Sequence, residues 1–289
     1  MTGPIVLVNP GSGVKETPIA EVTEAFGDLA EVRAMTGQDL AVDVARAVDA
    51  GAEWVGVAGG DGSLRIAAPV LAAAQRPLLC VPCGTRNHFA KDIGLDTIEA
   101  AVAAAKAGAS TRKVDLAWVG EECFLNTCNL GMYTAIVKER VRQKGKLPKR
   151  AADAIGIVRE AARGHRLRLV LDGKPVTTWA VFIGNSCYGE NLGDLGRTHL
   201  DDGLLDARIV LANQRVARLR LFGALLGGRL HQTPVMDQVQ AATLTFETPG
   251  CGAMDVAVDG DVFRLRTPLR LHVEQGALTV LAPPMAVDA

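Results

Sequence analysis

The sequence predicts two domains: an α/β N-terminal domain with a parallel sheet over residues 1–112, and a β-rich antiparallel C-terminal domain over residues 113–289. In the first part, short apolar runs alternate with segments of helical spacing, which is typical of a parallel sheet wound with helices. After Lys113, strand-like segments dominate, and several alternate apolar with polar residues as antiparallel strands do. A chain of 289 residues, 48% of them hydrophobic, can bury two cores. The last residues either remain in the second domain or return to the first.

The first domain is predicted to consist of successive βα units. Its first strand, Ile5–Val8, is a continuous apolar run that ends in a glycine-rich turn, as a buried parallel strand does. Strands are predicted at 5–8, 30–34, 54–58 and 77–81, and helices at 18–26, 39–50, 63–74, 87–92 and 98–107. Ligands of such sheets bind beyond the carboxyl ends of the strands.

The second domain is predicted mainly from strands and hairpin turns. Strands are expected at 116–119, 123–126, 167–171, 179–183, 207–211, 242–246, 256–259, 269–273 and 278–281. Asp172-Gly173, Asp259-Gly260 and Gln275-Gly276 are hairpin-type turn signals. Two helical segments interrupt the strands, at about 133–163 and about 214–230.

Charge and composition exclude several classes of protein. With 31 basic and 32 acidic residues the net charge is −1, so the chain lacks the general basic field of nucleic-acid-binding proteins, and no nucleic-acid partner is expected. No run of 18 uncharged apolar residues predicts a membrane span. The six cysteines lie in apolar contexts with no secretory signal before them, which favours a cytoplasmic protein.

Three polar, glycine-rich segments follow strands of the predicted parallel sheet. They are Asn9–Gly13, Gly59–Ser63 and Pro82–Asn87. Each alone could be a tight strand-to-helix turn, but together they favour a shared anion site at one sheet edge. In the second of them, glycines let backbone N–H groups approach a polyphosphate, and Asp61 can organise a metal ion.

A basic segment in the second domain has two interpretations. Residues 138–150 are dense in lysine and arginine, and Arg218, Arg220 and Arg229 could add to them. The segment is either a solvated helix end with its loop, or a basic rim that meets an anionic membrane surface or a substrate phosphate.

The order of these motifs resembles the diacylglycerol kinase catalytic domain family, bacterial lipid kinases related to sphingosine and ceramide kinases. The turn at Gly59–Ser63 is similar to the family signature, and Pro82–Ala90 is similar to its P-x-G-T-x-N-D-F-A segment. Gly184-Asn185, Asp201–Asp206 and Val258–Asp261 resemble its second-domain motifs. G-G-D-G alone also occurs in NAD kinases and 6-phosphofructokinases, whereas a following G-T-x-N-x-F-A points to lipid kinases.

The resemblance implies a kinase with ATP and a lipid hydroxyl meeting between an α/β and a β-rich domain. It implies an ATP site formed by Asn9, Pro10, Gly11, Ser12, Gly13, Thr36, Gly59, Gly60, Asp61, Gly62, Ser63, Leu64, Arg65, Thr85 and Asn87. Asp261 occupies the place of the glutamate that serves as proton acceptor in relatives. A second-domain Mg²⁺ is implied at Asp202 with the carbonyl groups of His199 and Leu204.

Phosphoryl transfer needs alignment and charge neutralisation, which suggests roles for individual residues. We expect Arg86 to point at the phosphates and Asp61 to hold the Mg²⁺ of ATP through waters. Asp261 is the candidate base for the alcohol, with Asp61 as its substitute. Arg86, His88 and Asp261 all depart from the residues usual in the family.

The sequence thus predicts an ATP-dependent lipid kinase that acts on a lipid alcohol, with diacylglycerol converted to phosphatidic acid in phospholipid biosynthesis. NAD kinase is one alternative, and a nucleotide- or lipid-binding regulator of the same fold without turnover is another. Transient contact with a membrane surface is expected, so the cytoplasmic protein would be peripherally membrane-associated. Exposed strand edges of the second domain are compatible with a homodimer.

Overall fold

The structure, a computed structural model, describes residues 3–11, 19–36, 39–107, 110–142, 166–188, 197, 199–212 and 236–283. The chain divides into two compact units. The first comprises Met1–Leu116 and Glu274–Ala289, and the second comprises Ala117–Val273. The division falls inside two long strands, so each of these strands contributes residues to both units.

The first unit is an α/β structure. Its strands are β1 (Ile5–Val8), β2 (Glu31–Ala34), β3 (Val55–Gly59) and β4 (Leu78–Pro82), with the beginning of β5 (Thr111–Val119). Its helices are α1 (Ile19–Phe26), α2 (Leu40–Asp49), α3 (Asp61–Ala73), α4 (His88–Asp92) and α5 (Ile98–Lys106), and a 3₁₀ turn spans Gly27–Leu29. The central strands lie in the order β4-β3-β1-β2 and all pair in parallel, which confirms the predicted parallel sheet.

The parallel sheet is buried because helices pack on it. All residues of β1 and β3 are buried, as expected of continuous apolar strands. Helix α3 buries Leu64, Ala67, Ala68 and Leu71 at helical spacing, and α2 buries Val44 and Ala47. This packing fixes the carboxyl ends of β1, β3 and β4 side by side.

The second unit is β-rich and antiparallel, as predicted. Its strands are β6 (Glu122–Phe124), β7 (Thr127–Gly131), β8 (Leu167–Leu171), β9 (Lys174–Asn185), β10 (Leu205–Leu211), β11 (Met236–Ala241), β12 (Thr243–Glu247), β13 (Ala253–Val258), β14 (Asp261–Arg266) and the beginning of β15 (Leu269–Leu281). Helix α6 spans Met132–Arg142. Their order is β14-β13-β7-β9-β8-β12-β15, and β10 pairs with β9 and β11. Alternate residues such as Cys128, Leu130, Val181 and Ile183 form one apolar core.

Two of the three predicted hairpin turns are confirmed and one is wrong. Asp172-Gly173 joins β8 to β9 and Asp259-Gly260 joins β13 to β14, each with two residues of positive φ. Gln275-Gly276 instead lies within the continuous strand β15. The Gly276 N–H donates to the Asp115 carboxylate at 2.7 Å and its φ is +59°, so this glycine serves a local irregularity and not a chain reversal.

Several sequence predictions fall outside the described residues. They include the helical segment at 214–230, most of the segment at 133–163, and the basic residues 143–150 with Arg218, Arg220 and Arg229. In the part of the chain that the structure describes, no helix is both long enough and apolar enough to cross a bilayer.

Candidate functional site

Three turns meet at the carboxyl ends of adjacent parallel strands in the first unit. The Asn9 N–H donates to the Ala58 carbonyl at 2.9 Å, and the Cys83 N–H donates to the Gly59 carbonyl at 3.1 Å. The parallel ladder therefore continues one residue beyond β1 and β4. The turns at Asn9, Gly59 and Cys83 consequently begin side by side, as the sequence predicted.

Two glycines allow the second and third turns to touch. A Cβ atom added to Gly84 would lie 2.4 Å from the Gly60 Cα and 2.5 Å from the Asn87 Oδ1. A Cβ atom on Gly60 would lie 3.2 Å from the Gly84 Cα. Because Cβ atoms essentially never approach other atoms to within 3.0 Å, only glycine fits at position 84, whereas a Cβ atom at position 60 would require a shift of a few tenths of an ångström.

Asp61 connects the second turn to the helix that follows the third. It is the first residue of α3, and its Oδ2 and Oδ1 accept the N–H groups of His88 (3.2 Å) and Phe89 (3.1 Å) at the start of α4. The carboxylate thus satisfies amides that helix formation leaves without intrahelical partners.

Asn87 gives the third turn its shape. Its φ of +53° and ψ of +46° lie in the left-handed region, which asparagine tolerates better than most residues. Its Oδ1 accepts the Gly84 N–H at 2.9 Å and its Nδ2 donates to the Gly84 carbonyl at 3.1 Å. Thr85 and Arg86, the predicted ATP ligands of this turn, are exposed.

His88 is half-buried beside this turn. Burial lowers the pKa of its imidazole, and the neighbouring Asp61 carboxylate opposes this shift without cancelling it. The positive charge of Arg86 also lowers the pKa of His88. The imidazole is therefore mainly neutral at neutral pH.

Asn9 and Ser63 join the first turn to the second. The Asn9 Nδ2 donates to the Ser63 Oγ at 2.9 Å, and its Oδ1 accepts the Gly11 N–H at 3.0 Å. Ser63 lies in α3 and is 7% exposed, so its hydroxyl is a buried support of the turn. Pro10 and Gly11 are exposed, whereas Ser12 and Gly13 lie outside the described residues.

Thr36 follows β2 and depends on a buried carboxylate that the sequence analysis did not identify. The Thr36 N–H donates to the Asp43 Oδ2 at 2.8 Å, and its hydroxyl lies 3.1 and 3.0 Å from the two carboxylate oxygens. Asp43 is 7% exposed, on the first turn of α2. A carboxylate on a face of α2 that is otherwise apolar was the signal that could have revealed it.

Of the predicted metal ligands of the second unit, Asp202 and Leu204 lie close together, and His199 is exposed. The Asp202 Oδ2 accepts the Cys187 N–H at 2.8 Å and its Oδ1 accepts the Leu204 N–H at 3.0 Å, while the Leu204 carbonyl accepts the Ser186 N–H at 2.9 Å. These oxygens keep lone pairs, so the donor set is compatible with a hard cation such as Mg²⁺. Among the described residues, no cluster of three or more His, Cys, Asp or Glu side chains could hold a metal ion.

Asp259, which the sequence analysis treated as a turn residue, is the better-anchored acid of the Asp259-Gly260-Asp261 hairpin. Its carboxylate accepts the N–H groups of Leu125 (2.8 Å), Asn126 (3.0 Å) and Thr127 (2.8 Å). Asp261, the predicted base, is exposed at the start of β14. Asp259 is therefore bonded to the backbone of Leu125–Thr127, whereas the Asp261 side chain is exposed to solvent.

The loop before β7 is also held by a buried arginine. Arg197, 5% exposed, donates to the carbonyl groups of Leu125 (2.6 Å) and Asn185 (2.7 Å) and to the Asn126 Oδ1 (3.1 Å). Its guanidinium also lies over the Tyr188 ring, 5.5 Å from the centroid. The segment Leu125–Thr127 is thus held from two sides: Arg197 donates to its oxygen atoms, and Asp259 accepts its backbone N–H groups.

A buried ion pair supports the segment that carries Tyr188. The Asp206 side chain is fully buried and pairs with Arg208 at 2.9 Å, and Gln238 Nε2 donates to its Oδ1 at 2.6 Å. Arg208 also donates to the Tyr188 carbonyl at 2.6 Å. A buried pair needs such additional hydrogen bonds to offset its desolvation. The network stabilises the segment that carries Cys187 and Tyr188.

Family models match both parts of the chain. Residues 4–119 match the diacylglycerol kinase catalytic domain, and residues 129–282 match the YegS C-terminal NAD kinase beta sandwich-like domain. A protein named diacylglycerol kinase from Mycobacterium tuberculosis (strain CDC 1551 / Oshkosh) is 30% identical over 96% of this chain and 94% of its own length. A protein named "Probable lipid kinase YegS-like" from Pseudomonas aeruginosa (strain UCBPP-PA14) is 30% identical over 92% of this chain and 88% of its own.

A solved structure has the same fold. The crystal structure of a diacylglycerol kinase from Bacillus anthracis str. Sterne superposes with a TM-score of 0.72 at 20% identity, covering 98% of this chain and 97% of that one. The predictions of fold class, family and kinase class are confirmed by these similarities. With its paired glycine turns and its two matched domains, this chain belongs to the diacylglycerol kinase family of lipid kinases.

Proposed function

We propose that this protein transfers the γ-phosphate of ATP to the hydroxyl group of a lipid alcohol, and that diacylglycerol is the acceptor and phosphatidic acid the product. The observation that carries the proposal is the contact between Gly60 and Gly84, which holds two glycine-rich turns together at the ends of β3 and β4. The name of the Mycobacterium tuberculosis relative supports diacylglycerol as the acceptor. Such an activity would serve phospholipid biosynthesis.

In this proposal the phosphates of ATP lie against the three turns of the first unit. Backbone N–H groups at the start of α3 face the anion with the positive end of the helix dipole. The exposed Arg86 adds a positive charge from the third turn, and Thr85 and Asn87 complete that side. The ATP site then comprises Asn9–Gly13, Thr36, Gly59–Ser63 and Thr85–Asn87.

Asp61 has two compatible roles. Its amide contacts fix α4, and its negative charge can attract a hydrated Mg²⁺ ion that accompanies ATP. Magnesium, when bound, neutralises phosphate charge and polarises the γ-phosphoryl group. Loss of Asp61 therefore removes both the order of the third turn and the anchor for the cation.

Asp261 is the proposed base for the acceptor hydroxyl. It is exposed and stands at the start of a strand, so its carboxylate can reach a substrate proton. Asp259 fixes the hairpin to the Leu125–Thr127 backbone through three hydrogen bonds from N–H groups. Asp202, with the carbonyl groups of His199 and Leu204, is the proposed site for a second Mg²⁺, which would brace the chain near Cys187.

The lipid acceptor requires contact with a membrane surface, which we propose to be transient and peripheral. Basic side chains of α6, including Lys138 and Arg142, are exposed and can approach anionic headgroups. Among the described strands, β11 pairs only with β10, so its other edge could join a second copy in a homodimer.

The proposal is tested with radiolabelled ATP and three acceptor conditions: dispersed diacylglycerol, a panel of other lipid alcohols, and NAD. Label in a lipid product supports the proposal, and label in NAD supports the NAD kinase alternative. Nucleotide binding by calorimetry without transfer to any acceptor supports a regulator, a function favoured by the unusual Arg86 and His88. Asp61→Asn is the control for transfer that depends on the site.

A further inference from the structure

We infer that Tyr188 is a positioning residue for the proposed base Asp261, and that it acts through Asp259, which fixes the hairpin on which Asp261 lies. The inference rests on the proposed function, because it concerns the base of that reaction. Tyr188 needs no contact with the substrate for this role, since its hydroxyl holds the backbone to which Asp259 is bonded.

A single peptide group joins Tyr188 to Asp259. The Tyr188 hydroxyl donates to the Asn126 carbonyl at 3.0 Å. The N–H of the same peptide group belongs to Thr127 and donates to the Asp259 Oδ1 at 2.8 Å. Because a peptide group is planar and rigid, a rotation that relaxes one of these hydrogen bonds also moves the other. The position of the Asp259 carboxylate therefore depends on the Tyr188 hydroxyl.

The Tyr188 side chain is itself held in one place. Its backbone N–H donates to the Asp206 Oδ2 at 3.3 Å, and its carbonyl accepts from Arg208 at 2.6 Å. A Cβ atom on Gly184 would lie less than 3.0 Å from two carbon atoms of the Tyr188 ring, so this glycine leaves the space that the ring occupies. The Arg197 guanidinium lies over the ring. A side chain packed in this way directs its hydroxyl to one acceptor, as a positioning role requires.

The position of Asp259 in turn sets the backbone of Asp261. Asp259 and Gly260 form the two-residue turn between β13 and β14, with φ values of +46° and +94°. The Asp259 N–H also donates to the Thr127 carbonyl at 2.9 Å. Since one residue separates the two acids, a shift of Asp259 displaces Asp261, and a base must lie within about 3 Å of the hydroxyl that it deprotonates.

Tyr188→Phe tests the inference, because it removes the hydroxyl and keeps the ring. The Asn126 carbonyl retains the Asn185 N–H as a donor at 2.9 Å, so the effect should be partial. With ATP, Mg²⁺ and dispersed diacylglycerol we expect kcat to fall by about three- to tenfold, the contribution of one hydrogen bond. The KM for ATP should stay unchanged, because the proposed ATP ligands lie in the first unit.

The other tyrosine of the chain provides the matched control. Tyr133 lies on α6, where its ring packs edge-on against Phe182, and Tyr133→Phe should leave kcat unchanged. Gly184→Ala is the second variant, since its Cβ atom displaces the Tyr188 ring, and it should lower kcat as Tyr188→Phe does. Thermal unfolding followed by circular dichroism ensures that all variants are assayed below their melting temperatures.

A double variant distinguishes a positioning role from a general structural one. If Tyr188 acts through Asp261, Tyr188→Phe should change the remaining kcat of Asp261→Asn by less than about twofold, because residues that act as a unit are not additive. A structural defect would instead lower kcat by the same factor in both backgrounds.

The outcomes separate this inference from the function on which it rests. Unchanged kcat for Tyr188→Phe, or an equal fractional loss with and without Asp261→Asn, would overturn the inference and leave the kinase proposal intact. Full kcat for Asp261→Asn would exclude Asp261 as the base and the inference with it. A wild-type protein that phosphorylates no lipid would refute the proposed function itself.

Discussion

Replacement of Gly84 by alanine tests the contact between the two turns. The new Cβ atom would lie 2.4 Å from the Gly60 Cα, where 3.0 Å is the practical limit, so the turns must separate by about 0.6 Å. Overpacking of this kind costs about 1–3 kcal/mol of folding free energy. A displacement approaching 1 Å in a phosphoryl-transfer site lowers the rate by about 10²-fold, since the reacting groups lose alignment.

We therefore expect Gly84→Ala to reduce kcat/KM by about 10²-fold and the melting temperature by about 2–8 °C. Kinase assays below the melting temperature and thermal unfolding measure the two effects separately. Gly60→Ala, with its nearest contact at 3.2 Å, should have a smaller effect, and Gly252→Ala, with no atom within 4 Å, should have none. Wild-type activity for Gly84→Ala, or equal losses for all three variants, would refute the steric reasoning.

Three further predictions concern the second unit. Arg197→Met should lower the unfolding free energy by about 2–4 kcal/mol in urea titrations, because it removes the guanidinium hydrogen bonds to the buried carbonyl groups of Leu125 and Asn185. A loss below about 0.5 kcal/mol, the order of a surface change, would contradict this. Asp259→Asn should destabilise the protein while Asp261→Asn should chiefly lower kcat, and comparing melting temperature with kcat for both variants distinguishes an anchoring acid from a reacting one. Burial tends to raise the pKa of Asp255, but hydrogen bonds from Lys138 and Arg264 outweigh this effect and lower the pKa. The resulting stabilisation should be present above pH 3.8 and lost as the pH falls through the lowered pKa, so Asp255→Asn should reduce the difference in stability between pH 6 and pH 3. An unchanged difference would count against the ion pairs.

The elements of the first unit were predictable because each signal is local. Apolar runs such as Ile5–Val8 and glycine turns such as Gly59–Ser63 specify a buried strand and its end without knowledge of partners. In the second unit the strands at Thr127–Gly131, Met236–Ala241 and Asp261–Arg266 were not predicted, because polar residues interrupt their short apolar runs and the strands depend on cross-strand pairing. The hairpin turn predicted at Gln275-Gly276 was wrong because the conformation there is set by Asp115, which is distant in sequence.

Site residues that belong to contiguous motifs could be predicted from the sequence, whereas residues defined by tertiary contacts could not. Gly60, Gly84 and Asp61 belong to contiguous motifs, but the amide contacts that Asp61 makes with α4 follow only from the packed sheet. Asp43 and Arg197 are single polar residues in apolar or glycine-rich surroundings, and their partners lie in other segments. Sequence spacing alone therefore could not identify them.

The central claim, phosphate transfer from ATP to a lipid alcohol at the Gly60–Gly84 turns, is tested most directly by the product. Wild-type protein and the Asp61→Asn and Gly84→Ala variants are incubated with ATP, Mg²⁺ and dispersed diacylglycerol, and the lipids are identified by mass spectrometry. The account predicts phosphatidic acid from the wild-type protein and a loss of about 10²-fold or more in both variants. Phosphatidic acid formed equally by all three proteins, or no phosphorylated lipid from a wild-type protein that binds ATP, would contradict it.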